Sequence, residues 1–277
     1  MDDSGGFTTP PPPPPPGGAG GGAGGGLAPK GLGDILSAAF EIYKANASGL
    51  ITIVAIVVVP LTFISAFLSG VVFAPDEITG RSVAVGLFAG LIGVVIAVII
   101  SAVLQAALIR GAAQASIGDA VDIEASYKWG FARFGSVLLI SILVGLAVLG
   151  GLILLIIPGL ILIVMFAVAI PALVVENRKG TEAMGRSWNL VKGHFWHVVV
   201  VILVAAIIAG VVSGIINGIG TAISDNWFVT WVFQAIGQVI VAPFSALVAV
   251  LLYVDLRART EALTADQLRG ELATNPT

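Results

Sequence analysis

Apolar residues fill this chain in long blocks separated by short polar islands, and the blocks outrun anything a water-soluble core needs. About 20 apolar residues in a helix cross the hydrocarbon core of a bilayer. Runs of or near that length recur at 50–73, 83–109, 137–157, 160–175, 196–219 and 228–254. The third and fourth come from one uninterrupted stretch, Val137 to Val175, which holds 39 residues and no charge. As a single helix it would be nearly 60 Å long, about twice the bilayer core. It must fold back, and Pro158-Gly159 near its middle is the predicted turn. Full crossing is expected because each arm approaches or reaches spanning length. A re-entrant hairpin leaves its charged flanks on one side and fits the charge pattern equally. Pro60 in the first run predicts a kink rather than an end, because neighbouring helices can satisfy the freed carbonyl.

The polar islands have their own order. If Thr181 opens a helix, Met184, Trp188, Val191 and Phe195 fall on one face and Glu182, Arg186, Asn189 and Gly193 on another. Glu182 and Arg186 then have i, i+4 spacing for an ion pair. Similar segments lead into the other odd-numbered runs: Phe40-Glu-Ile-Tyr-Lys44, Trp129-Gly-Phe-Ala-Arg133 and Trp188-Asn-Leu-Val-Lys192 each read aromatic, any, apolar, any, basic. Such helices lie along a membrane surface, with rings at the headgroups and basic heads reaching toward anionic lipid. Phe40, Tyr43, Lys44, Trp129, Arg133, Arg186, Trp188, Lys192 and Trp196 are accordingly the expected membrane-interface residues.

The expected fold is therefore an all-α integral membrane protein, with six transmembrane helices arranged as three hairpins, each preceded by an interfacial amphipathic helix. A parallel internal repeat and convergence on the same interfacial chemistry both account for the threefold pattern. Residues 1–30 carry seven consecutive prolines, Pro10 to Pro16, and a Gly/Ala run, which predicts a tail with nothing to bury. The membrane domain is expected over 31–262, with a polar tail over 263–277. No basic leader heads the chain, so the first span is expected to be an uncleaved anchor.

Composition agrees: 57% of residues are hydrophobic and 10% charged, against about 25% charged in soluble domains. Of 13 lysines and arginines only Arg81 falls in the loops after the first, third and fifth runs. By the positive-inside rule both termini and both long polar loops are cytoplasmic. Tyr127 and Tyr253 join the rings expected at the inner interface, and Trp227 and Trp231 mark the outer one. The basic residues are dispersed along interfacial helices, which argues against nucleic acid and for the anionic inner leaflet of a membrane as the first partner. A proline-binding protein partner for the tail is the second.

Candidate chemistry is sparse. The chain has no cysteine. His194 and His197 could share a helical face, but too few ligands accompany them for a metal site. No cofactor, metal or catalytic constellation is expected. Glu176 with Arg178 and Asp255 with Arg257 are expected as ion pairs anchoring helix ends. Gly86 with Gly90, and Gly210, Gly214 and Gly218, have the small-xxx-small spacing that lets backbones approach, inside the monomer or at an oligomer seam. No run has an ionisable residue near its middle, which argues against proton- or ion-coupled transport.

Gly33-Asp-Ile-Leu with Phe40, Tyr43, Lys44 and Asn46, Pro171 through Gly180 followed by Arg186-Ser-Trp and Val191-Lys-Gly-His-Phe-Trp, and Pro243-Phe with Leu252-Tyr-Val-Asp-Leu-Arg and Glu261 are together similar to a bacterial family. That family is the glycerophosphoryl diester phosphodiesterase membrane domain, and the resemblance covers roughly residues 31–262. Proteins of this kind with Pro/Gly-rich cytoplasmic heads are common in actinobacteria. In some relatives the membrane region is fused to a soluble phosphodiesterase barrel. This sequence has no room for such a barrel, so the resemblance implies a membrane domain without the family's catalytic residues. The expected function is a non-catalytic structural or interaction module. The alternatives are an uncoupled transporter or channel for a small or lipid-like molecule and an accessory subunit of a lipid-modifying enzyme.

Overall fold

The computed structural model describes residues 27–67, 80–224, 226–261 and 263–273, without the side chains of residues 67, 80–89 and 94. The proline run, the end of the first predicted span at 68–73, the side chain of Arg81 and any contact of Gly86 lie outside the described residues.

Among the described residues all regular structure is helical. In chain order the helices are α1 (Leu32–Phe67), α2 (Gly80–Ser116), α3 (Ile123–Leu154), α4 (Ile156–Met165), α5 (Ala169–Glu176), α6 (Thr181–Val191), α7 (Phe195–Ile223), α8 (Trp227–Glu261) and α9 (Ala265–Ala273). Six stretches are long and apolar enough to cross a membrane: Leu32–Ala66, Gly90–Ser116, Ile123–Leu154, Ile156–Glu176, Phe195–Ile223 and Trp227–Glu261. Their outward faces are apolar too, with Ile56, Leu91, Leu146, Leu203, Ile207 and Ile215 all more than half exposed. That distribution suits hydrocarbon and not water.

Helix α8 is the centre of the bundle. It packs against α1, α2 and α7, while α2 packs on α3. From Ala246 to Arg257 nearly every residue of α8 is buried. Helix α1 bends at Asn46, whose backbone leaves the helical region (φ −119°, ψ 18°), so Leu32–Asn46 is set off from the span as the amphipathic pattern predicts. Asn46 caps this break by donating its side-chain amide to the Ile42 carbonyl. The helix continues through Pro60. The second predicted surface helix behaves differently: Asp122 accepts from the Ala125 N–H and caps α3, which then runs as one rod into the third apolar block.

Three expectations are corrected. First, the chain reverses at Leu155 (φ −161°, ψ 145°), not at Pro158-Gly159. Pro158 sits in the first turn of α4, where a helix has no use for its missing N–H. Gly151 and Gly159 permit the tight return, because a Cβ on Gly151 would lie 2.9 Å from the Gly159 Cα and one on Gly159 would lie 2.7 Å from the Leu152 backbone nitrogen. Second, the interruption expected at Pro171 in the short fourth run falls ahead of that proline, so the run is two helices. Residues 166–168 form a turn between α4 and α5, since Pro171 offers no N–H to the Ala167 carbonyl and its ring crowds that oxygen. Third, the 263–277 segment includes α9, which buries Leu268 and Leu272.

Of the two uses expected for the glycine stripes, packing inside the monomer is not seen among the described residues. A Cβ on Gly90, Gly210, Gly214 or Gly218 would meet nothing within 4 Å, so these glycines bring no other element of the chain close. Close approach occurs elsewhere, as at Gly130, where a Cβ would stand 2.9 Å from the Val103 carbonyl oxygen on α2. Gly130→Ala is expected to destabilise the α2–α3 contact by about 1–3 kcal/mol, the usual cost of overpacking. Unfolding of the purified protein in detergent checks it against Gly210→Ala, which should be neutral or better.

Candidate functional site

One end of the bundle collects the charges. Helix α5 ends at Asn177, whose left-handed backbone (φ 53°) turns the chain sharply. This turn lets Arg178 fold back onto Glu176, the one predicted helix-end pair that forms as drawn. Glu176 is largely buried and gathers three further groups. Its Oε1 accepts from the Tyr253 hydroxyl at 2.7 Å and from Arg186 Nε at 2.7 Å, and Arg257 Nε lies 3.8 Å away. Arg186 also grips Glu261 with both terminal nitrogens. Arg257 donates to Glu271 Oε2 and Oε1 at 2.6 and 2.9 Å and to Glu261 at 3.1 Å. Three arginines and three glutamates thus tie α5, α6, α8 and α9 into one cluster around a polar cavity of about 510 Å³. Arg186, held by hydrogen bonds to Glu261 first and Glu176 second, has its pKa raised above the ordinary arginine value and stays charged.

A second knot lies beside it. Asp255, with its side chain fully buried, accepts from Arg259 Nε at 2.8 Å and from the Lys30 backbone N–H at 2.6 Å, and His197 Nε2 lies 3.0 Å from it. Arg259 also donates to the Lys30 carbonyl, and the Leu27 N–H to the Leu263 carbonyl. The segment entering α1 is thereby clamped to the segment leaving α8.

These partners revise the sequence reading. The expected Asp255–Arg257 pair does not form: residues two apart on a helix point to opposite sides, whereas four apart they meet. Asp255 pairs with Arg259 and Arg257 with Glu261. Arg186 likewise turns from Glu182 to Glu176 and Glu261. On α6 the buried positions are Ala183, Ser187, Leu190 and Val191. Trp188 sits on the rim, 43% exposed and tilted against Phe166.

The interface residues divide. Phe40 is exposed with Lys44 Nζ 4.9 Å from its ring centroid, and Trp196 is 76% exposed. Lys192 is exposed and donates to Asn189, and Arg133 is half-buried. Tyr43 reaches across to the Ile240 carbonyl on α8. Trp129 is corrected outright: it is fully buried, beneath the Arg110 guanidinium at 5.6 Å. Tyr253 is fully buried as well, and Tyr127 donates to the Ile53 carbonyl. The three aromatic-basic segments therefore do three different jobs. At the opposite end Trp231 donates to Thr62 and packs edge-on against Phe63 beside Phe228, an aromatic rim where one was expected.

Glu261 stood out in the sequence only as part of the family resemblance and Glu271 not at all, although the i, i+4 spacing from Arg257 to Glu261 was an available signal for the first. Among the described residues no three histidines, aspartates or glutamates converge as a metal site. No family model, no curated protein and no solved structure matches this chain.

Proposed function

We propose that this chain is a multi-pass protein of a bacterial cytoplasmic membrane whose charged end faces the cytoplasm and serves as a non-catalytic platform for partners at the inner leaflet. The observation that carries this reading is the buried network joining Glu176, Arg186, Arg257, Glu261 and Glu271 across four helices. Each carboxylate in it is engaged by arginine, so the cluster holds a surface rigid and offers no idle base or nucleophile. The excess of lysine and arginine at that end supports the orientation, and Trp188, Lys192 and Trp196 supply contacts for anionic headgroups.

The polar cavity favours a second reading, passage or capture of a small or lipid-like molecule, in which the chain acts as an uncoupled transporter or as an accessory to a lipid-modifying enzyme. Two measurements separate them. Purified protein in liposomes is expected to dissipate no proton or sodium gradient, and crosslinking in native membranes followed by mass spectrometry is expected to return one reproducible protein neighbour. Saturable flux without such a neighbour would replace the platform by the transporter.

A further inference from the structure

Helices α3 and α4 form a hairpin that was expected to cross the membrane, but α3, though 32 residues long, reaches the level of Gly180, just before α6, only at Leu139. That leaves about 23 Å of it up to the tip, and the second arm is shorter still. The second arm, α4, has 10 residues and rises about 15 Å. Its last residue, Met165, accepts a hydrogen bond from Ser187 of α6 at 2.7 Å, so α4 begins its rise at the level of α6. Helix α7 begins four residues after α6, packs against α4, and runs 29 residues, about 43 Å, toward the opposite end. Starting from one level, α4 therefore reaches roughly a third of the height of α7. The rest of the nominal fourth span does not add height. Helix α5 is buried among α6, α9 and α2, and its terminal Glu176 belongs to the charged cluster.

The tip has matching chemistry. Residues Ile153 to Ile157 are Ile-Leu-Leu-Ile-Ile, and each is 66–78% exposed. The turn from α7 to α8 instead holds Ser224 and Asn226 beside Trp227, Phe228 and Trp231, the polar and aromatic residues that belong at a water boundary. A bare aliphatic turn is stable only in hydrocarbon, and it must then leave few backbone groups open. Only Leu155 breaks the helical path, its N–H bonds to Gly151 at 2.9 Å, and Pro158 removes a donor from the first turn of α4.

We propose that the α3–α4 hairpin is re-entrant: it enters from the charged side and ends inside the bilayer, where acyl chains cover the Ile153–Ile157 tip. Only α1, α2, α7 and α8 then cross. This rests on the reading of the protein as membrane-embedded with its charged end on one side.

The chain has no cysteine, so single cysteines report position directly. Leu155→Cys, Asn226→Cys and Asn189→Cys, all at exposed positions, are treated in oriented membrane vesicles with an impermeant maleimide from each side, with total thiol counted after denaturation. Asn226→Cys and Asn189→Cys should react from opposite sides. Leu155→Cys should react from neither side, at least about tenfold more slowly than both, because a thiol in hydrocarbon does not ionise. A nitroxide placed there should relax with oxygen and not with a water-soluble nickel chelate. Reaction of Leu155→Cys from the Asn226 side at a comparable rate overturns the proposal and restores a full crossing. Reaction of Asn226→Cys and Asn189→Cys from the same side overturns the membrane orientation itself, and the hairpin proposal with it.

Discussion

Arg257→Ala is expected to destabilise the purified protein by about 1–3 kcal/mol, the cost of taking a charged hydrogen-bond partner from carboxylates that are themselves 33% and 34% exposed. The substitution removes the forked donor from Glu271, leaves Glu261 with its Arg186 contacts, and takes one cation from the surroundings of Glu176, whose side chain is 8% exposed. Arg257 is itself only 9% exposed and makes a forked contact with Glu271, so lysine should restore only part of the loss, keeping the charge without the fork. Arg178→Ala is the control. That arginine is 44% exposed, and a pair of that kind contributes about 0–1 kcal/mol. Urea unfolding in a fixed detergent measures all three. If Arg257→Ala and Arg178→Ala shift the midpoint equally, the cluster is a solvated charge patch and the platform loses its physical basis.

The second large effect is expected at Trp129. Truncation to alanine should cost about 3–5 kcal/mol, as for other fully buried large rings, and it also uncovers Arg110. The comparison is Trp196→Ala, which removes an equally large ring from a position that is 76% exposed. Trp196→Ala should barely move unfolding in detergent while weakening attachment to anionic bilayers. Both tryptophans were expected to mark an interface, and near-equal unfolding midpoints for the two variants would reinstate that reading for Trp129.

What could be read in advance followed from local physics. Hydrophobic runs located the long helices, because a helix in lipid must satisfy its own backbone, and set the starts of α7 and α8 to within a residue, while α3 begins well ahead of its run and α2 and α8 end beyond theirs. The start of α6 at Thr181 was legible from the amphipathic spacing of the segment it opens. The turn at Leu155 was not, since proline and glycine signal a turn only where the backbone cannot accept them, and the first turn of α4 accepts Pro158. The site was least legible. Glu176 and Arg178 are neighbours in sequence, but Arg186 finds Glu261 across 75 residues and Tyr253 finds Glu176 across 77. Periodicity cannot supply such pairings. Nor could an aromatic-basic pattern tell the exposed Phe40 from the buried Trp129, because the difference lies in Arg110 and in the close approach of α2 at Gly130.

Helix α9 also bears on how the protein is made. Glu271 is the forked partner of Arg257, and the Leu272 carbonyl faces Arg110 at 3.5 Å, yet both emerge from the ribosome after every membrane-spanning stretch. Until α9 is synthesised and seated, the charges gathered on α5, α6 and α8 lack a partner that the finished fold requires. Nine residues, Ala265–Ala273, thus close the charged end only after the other described helices have been made. A nascent chain stopped before them would present to quality-control proteases a bundle already inserted but still open at its charged end.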